Sequence, residues 1–224
     1  AQTDLIQVHR VVDRKVRERT ALINQIRGFL GEYGVVVARG KERLWHALPE
    51  LLEVVDNGLT PSARELLAEL QQEWAGQEQA IRRLERQIKS QSRADEAAQR
   101  LMRIKGVGER IATAAVAYAG NGQGYRNGRH FTANQGLVPN EHSSGGQHQL
   151  GGLSKRGNRY LRRLLIQGAW TVVRYAERSQ DRLSRWATKL IERRGKHKAV
   201  VAVANKMARI IWSMLYHRTE YRPT

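Results

Sequence analysis

The chain has 224 residues, no cysteine, 39 Lys and Arg against 21 Asp and Glu, and a formal net charge of +18. Disulfides and thiolate metal sites are excluded, and no apolar run approaches the roughly 18 to 20 residues that a membrane-spanning helix needs. The N-terminal stretch AQTDLIQVHR lacks the pattern of a secretory leader, so a cytoplasmic protein is expected.

The charge is segregated along the chain. Residues 1–100 hold 16 Lys and Arg against 15 Asp and Glu, whereas residues 101–224 hold 23 against 6. A surface that neutralises phosphates by releasing counterions gathers charge in this way, so the half from Leu101 onward is expected to bind nucleic acid.

In chain order, residues 1–97 read as helices. Apolar positions recur at three and four residues through Leu5, Val8, Val12, Val16, Ile23, Ile26 and Leu30, predicting a first long helix that ends near Gly31. The apolar loop Val35 to Val37 and a short helix over Leu44 to Val55 follow. Asp56, Asn57 and Gly58 then predict a turn, with Thr60 as N-cap and Pro61 at the first helical position of the next helix. In that helix Leu67, Leu70, Trp74, Gln77, Ile81, Leu84 and Ile88 are spaced alternately by three and four, a heptad seam interrupted by one Gln. Two such helices pair as an antiparallel hairpin or with another subunit, and this half is expected to be architectural.

Residues 101–157 are glycine-rich and predict loops with short helices. Leu101 to Gly120 reads as helix, tight turn, helix around Ile104-Lys105-Gly106-Val107-Gly108, the sequence form of a helix-hairpin-helix. Gly106 and Gly108 allow backbone conformations in which N–H groups at a helix start converge on a phosphate, and Lys105 and Arg110 add charge. Such contacts hold a DNA backbone without reading bases. Further on, Ser143 and Ser144 precede a glycine pair and lead into a basic helix start formed by Lys155, Arg156, Arg159, Arg162 and Arg163. A serine there can reach a phosphorus while arginines stabilise developing charge, although Ser-Ser-Gly-Gly is equally an ordinary turn. His130, His142 and His148 have no recognised ligand spacing, and no metal site is expected in this chain. From Asn158 onward, three amphipathic helices are predicted. Leu161, Leu164, Leu165, Gly168, Val172 and Val173 mark the first. Leu183, Trp186, Leu190 and Ile191 mark the second, and Val200, Val203, Met207, Ile210, Ile211 and Met214 the third, with their Trp and Met residues expected in the core.

The motifs IKGVG, GLVPNEHSSGG and LGGLSKRGNRYLRRLLIQGA resemble the insertion-sequence transposases of the one-ten family, especially its eleven-eleven group, and the related Piv-type invertases. The resemblance covers nearly the whole chain. It implies a mainly α fold: a long coiled-coil-like helical hairpin in residues 1–97, then a helix-hairpin-helix-containing transposase domain in residues 98–224. It also implies a serine nucleophile, at Ser144 or else Ser143, that cuts and rejoins DNA under the direction of a structured guide RNA. A homo-oligomer, dimer or tetramer, would form through helices 1–97, in a bacterial, nucleoid-associated setting. Members carry an N-terminal RuvC-like domain with four acidic metal ligands. No such domain is recognisable here, where the acids nearest the serines are Glu141 and the more distant Glu109. The chain therefore reads as a shortened chain, a fragmentary gene or a portion of a longer protein. Mg²⁺ is expected only with the acidic domain, and alone this chain should bind nucleic acid without recombining it. The competing expectation is a non-catalytic helix-hairpin-helix DNA-binding or architectural protein in which the serines form only a turn.

Overall fold

Heptad-like apolar spacing produces long helices, and the fold is mainly α. The computed structural model describes residues 2–147 and 149–222. Among these, the helices are α1 (Gln2–Glu32), α2 (Lys41–Glu53), α3 (Pro61–Ala94), α4 (Glu96–Leu101), α5 (Glu109–Ala119), α6 (Gly128–Asn134), α7 (Arg159–Arg174), α8 (Arg182–Arg194) and α9 (Lys196–His217). One antiparallel pair, β1 (Pro139–Glu141) with β2 (Leu150–Leu153), lies between α6 and α7. No described helix is long and apolar enough to cross a membrane. The chain divides into two compact units, residues 10–86, and residues 1–9 with 87–224.

In the first unit, Leu22, Ile26 and Leu30 of α1 share a buried core with Leu44 and Leu48 of α2 and Ala63, Leu67 and Trp74 of α3. Arg19 pairs with Glu78 at 3.1 Å, while Gly58, just before α3, approaches Tyr33, just after α1, so the two long helices run antiparallel. Seam residues Leu67, Trp74, Gln77 and Ile81 are buried within the chain. The Thr60 hydroxyl accepts the Ala63 N–H at 3.2 Å and Pro61 opens α3, as the turn chemistry predicts. Arg64 reaches back to the unpaired carbonyls ending α2, donating to Leu52 O at 2.8 Å and Val54 O at 2.6 Å, where a helix leaves acceptors unsatisfied.

In the second unit, α9 is the central element. Val200, Val203, Ala204, Met207, Ile211 and Met214 form its buried stripe, against Leu161, Leu164, Leu165, Ala169 and Val172 of α7. Each Val, Leu, Ile or Met so buried contributes about 1.5–3 kcal/mol. The short, Ala-rich α5 buries Ile111, Ala112, Thr113, Ala114, Ala115, Ala117 and Ala119, small side chains that admit close neighbours on several sides. Met207 and Met214 lie in the core as expected, but Trp186 is only half-buried and lines a groove.

Candidate nucleic-acid interface and serine hairpin

The glycine turn before α5 is shaped by a packing constraint that spans 62 residues of sequence. Gly106 has φ +82, and a Cβ there would fall 2.5 Å from Gly168 O and 2.8 Å from Val172 Cγ2. Reciprocally, a Cβ on Gly168 would fall 2.3 Å from Gly106 O and 2.8 Å from Ile111 Cδ1. The turn and α7 therefore meet backbone to backbone, a contact that only glycine permits on both sides. Gly108 differs: it is exposed and extended, has open space at its Cβ position, and caps α5 with its carbonyl, which accepts the Ala112 N–H at 2.9 Å.

Lys105 is turned into the fold. Its ammonium donates to the hydroxyls of Ser179 and Ser184 and pairs with Asp181 at 3.3 Å. Burial alone would raise the Asp181 carboxyl, but hydrogen bonds from Ser184 and Lys105 hold it below the usual carboxylate range. Asp181 also caps α8, accepting the Ser184 N–H at 2.9 Å, so Lys105 anchors the turn to the start of α8.

Beneath α5 lies a histidine that belongs to no sequence motif. His9 is fully buried. The Thr113 hydroxyl donates to Glu109 O at 2.7 Å, so it accepts from His9 Nε2–H at 3.0 Å, leaving Nδ1 to accept the Tyr160 hydroxyl at 3.0 Å. Both ring nitrogens are thus matched to the neutral imidazole. Burial, and secondarily the charge of Arg110, lower its pKa from 6.5 to about 4. The unfolded imidazole takes up its proton near pH 6.5 and the folded one only near 4. The stability from this site is therefore complete above pH 6.5 and is lost as pH falls toward 4, at up to about 1.4 kcal/mol per pH unit. Thermal melts of the wild type and His9→Gln between pH 7 and 4 are expected to differ in slope over that window. Parallel curves would refute the neutral buried histidine.

The serine motif, predicted as a loop, is a β-hairpin. Gly145 and Gly146 have φ +57 and +78, and Gln147 N donates to Ser144 O at 3.0 Å, the geometry of a two-residue type I′ turn. The glycine pair thus makes the turn, and the ladder follows with few apolar side chains to announce it. Residues 141–147 are all exposed, with Ser144 at the tip. The Ser143 hydroxyl donates to Glu141 Oε1 at 2.7 Å.

The basic residues that follow belong to the hairpin root. Val138 to Ser144 is six residue steps, up to about 20 Å of extended chain. Ser154 N donates to Val138 O and Lys155 N to Gly136 O, and Lys155 takes a left-handed φ of +54. The Arg162 guanidinium bridges the two sides of the root, donating to Gln135 O at 2.9 Å and Arg156 O at 3.1 Å. Burial, then Arg159, push its pKa down. Glycine is required here as well, since a Cβ on Gly157 would fall 1.9 Å from Asn134 O and one on Gly136 would fall 2.1 Å from Arg156 O. Lys155, Arg156 and Arg159 are exposed, and Arg163 lies 5.4 Å over the Tyr160 ring. The hairpin therefore brings these cations together at its root and carries the serines away from them.

Among the described residues no group of three or more His, Asp and Glu is placed to hold a metal ion. His130 and His142 are exposed, and His148 lies outside the described residues.

Residues 98–184, from α4 through the hairpin to the start of α8, match the sequence profile of the family described as "Transposase IS116/IS110/IS902 family". By that segment the chain resembles the IS116/IS110/IS902 transposase family. It is 46% identical over 217 residues to a "Probable family 20 transposase" of Pseudomonas aeruginosa, covering 96% of this chain and 64% of that protein. It is 42% identical over 221 residues to the "Transposase for insertion sequence element IS1111A" of Coxiella burnetii, covering 99% of this chain and 61% of that one. Against the "Transposase for insertion sequence element IS1328" of Yersinia enterocolitica it is 37% identical over 213 residues, covering 94% and 62%. The chain thus spans somewhat less than two thirds of the length of these relatives. The transposase segment contains the glycine turn, the serine hairpin and the basic root, and it stops short of α9.

Proposed function

We propose that this chain is the portion of a DNA transposase that grips DNA and presents the serine which cuts and rejoins it. The observation that supports this reading best is the type I′ hairpin, which exposes Ser144 at its tip above a basic root within the transposase segment. In this reading Ser144 Oγ attacks a backbone phosphorus. An Oγ–P bond forms as a P–O bond breaks, the hydroxyl proton leaves the serine, and the departing deoxyribose oxygen takes up a proton. The phosphoserine link conserves the diester, so a second deoxyribose hydroxyl can displace the serine and rejoin the strand. Because the arginines lie at the root, we assign stabilisation of the charge at phosphorus to a different element of the full-length assembly.

Among the described residues no group of three or more His, Asp and Glu is placed to hold a metal ion, and Glu141 and Asp181 are engaged by Ser143 and Lys105. Metal-binding acids are accordingly proposed for another part of a longer protein. Guidance by a structured RNA and assembly into a dimer or tetramer through helices 1–97 are proposed on the family resemblance. For the glycine turn we propose that the exposed Gly108 end of α5, with Arg110, grips a phosphate, the helix-hairpin-helix mode, while Lys105 serves the fold.

The test is capture of a covalent protein–DNA adduct, by incubating the full-length transposase with a nicked substrate from which the cut strand diffuses away and separating the products under denaturing conditions. An adduct that maps to the hairpin tip is expected. Strand exchange with no adduct through the tip would favour the non-catalytic, architectural reading of this chain.

A further inference from the structure

On α9, the face opposite the core stripe carries Lys198, Ala202, Asn205, Arg209 and Trp212 at spacings of four, three, four and three. With Arg129 of α6, Trp186 of α8 and Leu137 and Pro139 at the hairpin root, this face lines an open groove of about 980 Å³. Its charged lining residues are Arg129, Lys198, Lys206 and Arg209, with no carboxylate among them. Lys206 sits 4.1 Å over the Trp186 ring, and burial, then Arg182 and Arg209, lower its pKa. Four cations crowded into one concave surface repel each other, and a line of phosphates would offset that repulsion. Asn205 Nδ2 donates to Leu137 O at 2.9 Å, so the groove floor is bonded to the hairpin root.

We infer that this groove is a backbone track for duplex DNA, holding the same DNA molecule that the hairpin tip cuts. The choice of DNA rests on the function proposed above, through the groove's continuity with the hairpin. Pro139 to Ser144 is five residue steps, up to about 17 Å, the length of about five base pairs at 3.4 Å each. A phosphate seated in the groove beside Pro139 is therefore within about half a helical turn of a bond presented to Ser144. The contacts are to phosphate, so the groove supplies affinity and register without sequence preference. Lys198, Lys206 and Arg209 all fall beyond residue 184, outside the matched transposase segment.

The test uses the 224-residue chain with Arg129, Lys198 and Arg209, all exposed, replaced together by Gln. Binding to a 30-base-pair duplex and to an RNA hairpin of equal phosphate number is measured by fluorescence anisotropy across a salt series. A melting temperature within about 2 °C of wild type checks the fold, and Arg209→Gln alone serves if the triple variant melts lower. The slope of log K against log salt on the duplex is expected to shrink by about 2.7, or about 0.9 for each phosphate that is no longer neutralised, with little change on the RNA. Unchanged slopes on both ligands overturn the groove, and a drop on RNA equal to or larger than that on DNA overturns the assignment to DNA. Binding is read without cleavage, so a failed serine adduct leaves this result standing, and a failed groove leaves the adduct test standing.

Discussion

Gly168→Ala should lower the melting temperature of the protein by on the order of 10 °C, although Ala is the better helix former. In an exposed helix interior the exchange would stabilise by about 1 kcal/mol. Here the new methyl would sit 2.3 Å from the Gly106 carbonyl oxygen and 2.8 Å from Ile111 Cδ1. Backbone cannot rotate out of the way as the end of a side chain can, so α7 and the glycine turn must separate, and overpacking of this kind costs about 1–3 kcal/mol or more. Gly106→Ala should be worse, because left-handed backbone adds about 1–2 kcal/mol to the clash with Gly168 and Val172. In a chain of this size each kcal/mol moves the midpoint by about 2–4 °C. Urea titrations and thermal melts of both variants check the result, with Gly108→Ala, at an open and extended position, as the control expected to stay near wild type. A Gly168→Ala protein that melts with or above wild type would show that the two backbones do not interlock.

The second large effect concerns chemistry. In the full-length transposase, Ser144→Ala is expected to abolish the covalent adduct, by at least about 1,000-fold on the scale of catalytic-nucleophile removals, and to leave DNA affinity nearly unchanged. Ser143→Ala should retain the adduct, because its hydroxyl is hydrogen-bonded to Glu141 two residues back along the hairpin. Denaturing gels with end-labelled substrate separate these outcomes, while anisotropy on the same proteins reports binding. An adduct that survives Ser144→Ala and vanishes with Ser143→Ala moves the nucleophile by one residue, and one that survives both removes the tip from the reaction.

The helices are legible in the sequence because their signals are local and repeated. Leu67, Trp74 and Ile81 announce a buried face through spacing alone, and Thr60-Pro61 marks a helix start whose cap bond is present. Gly106 stands out for the right property, backbone freedom, but its reason lies in Gly168, and a contact 62 residues distant leaves no local trace. The hairpin is concealed because Leu150–Leu153 is half glycine and Pro139–Glu141 has no alternating apolar pattern, so the turn rather than the strands specifies it. On charge alone Lys105 and Arg162 belong with the nucleic-acid contacts, whereas folding commits both to bonds within the protein. The groove cations on α9 are hidden for the opposite reason: the strong apolar stripe of Val200, Val203 and Met207 on the inner face of the same helix dominates its pattern.

Arg162 fastens both sides of the hairpin root, while the tip residues Gly145 and Gly146 have nothing within reach of a Cβ. Mechanically the hairpin is a lever with its fulcrum at the guanidinium. A rotation of about 5° at the root, carried over about 20 Å, displaces the serine by about 2 Å, and a misplacement of about 1 Å can cost a reaction about 100-fold. Arg162→Lys, which exchanges a planar fork for a single flexible ammonium, should therefore slow adduct formation far more than it weakens DNA binding. If Ser144 is the nucleophile, as proposed, its aim is set by Arg162 through bonds to Gln135 O and Arg156 O.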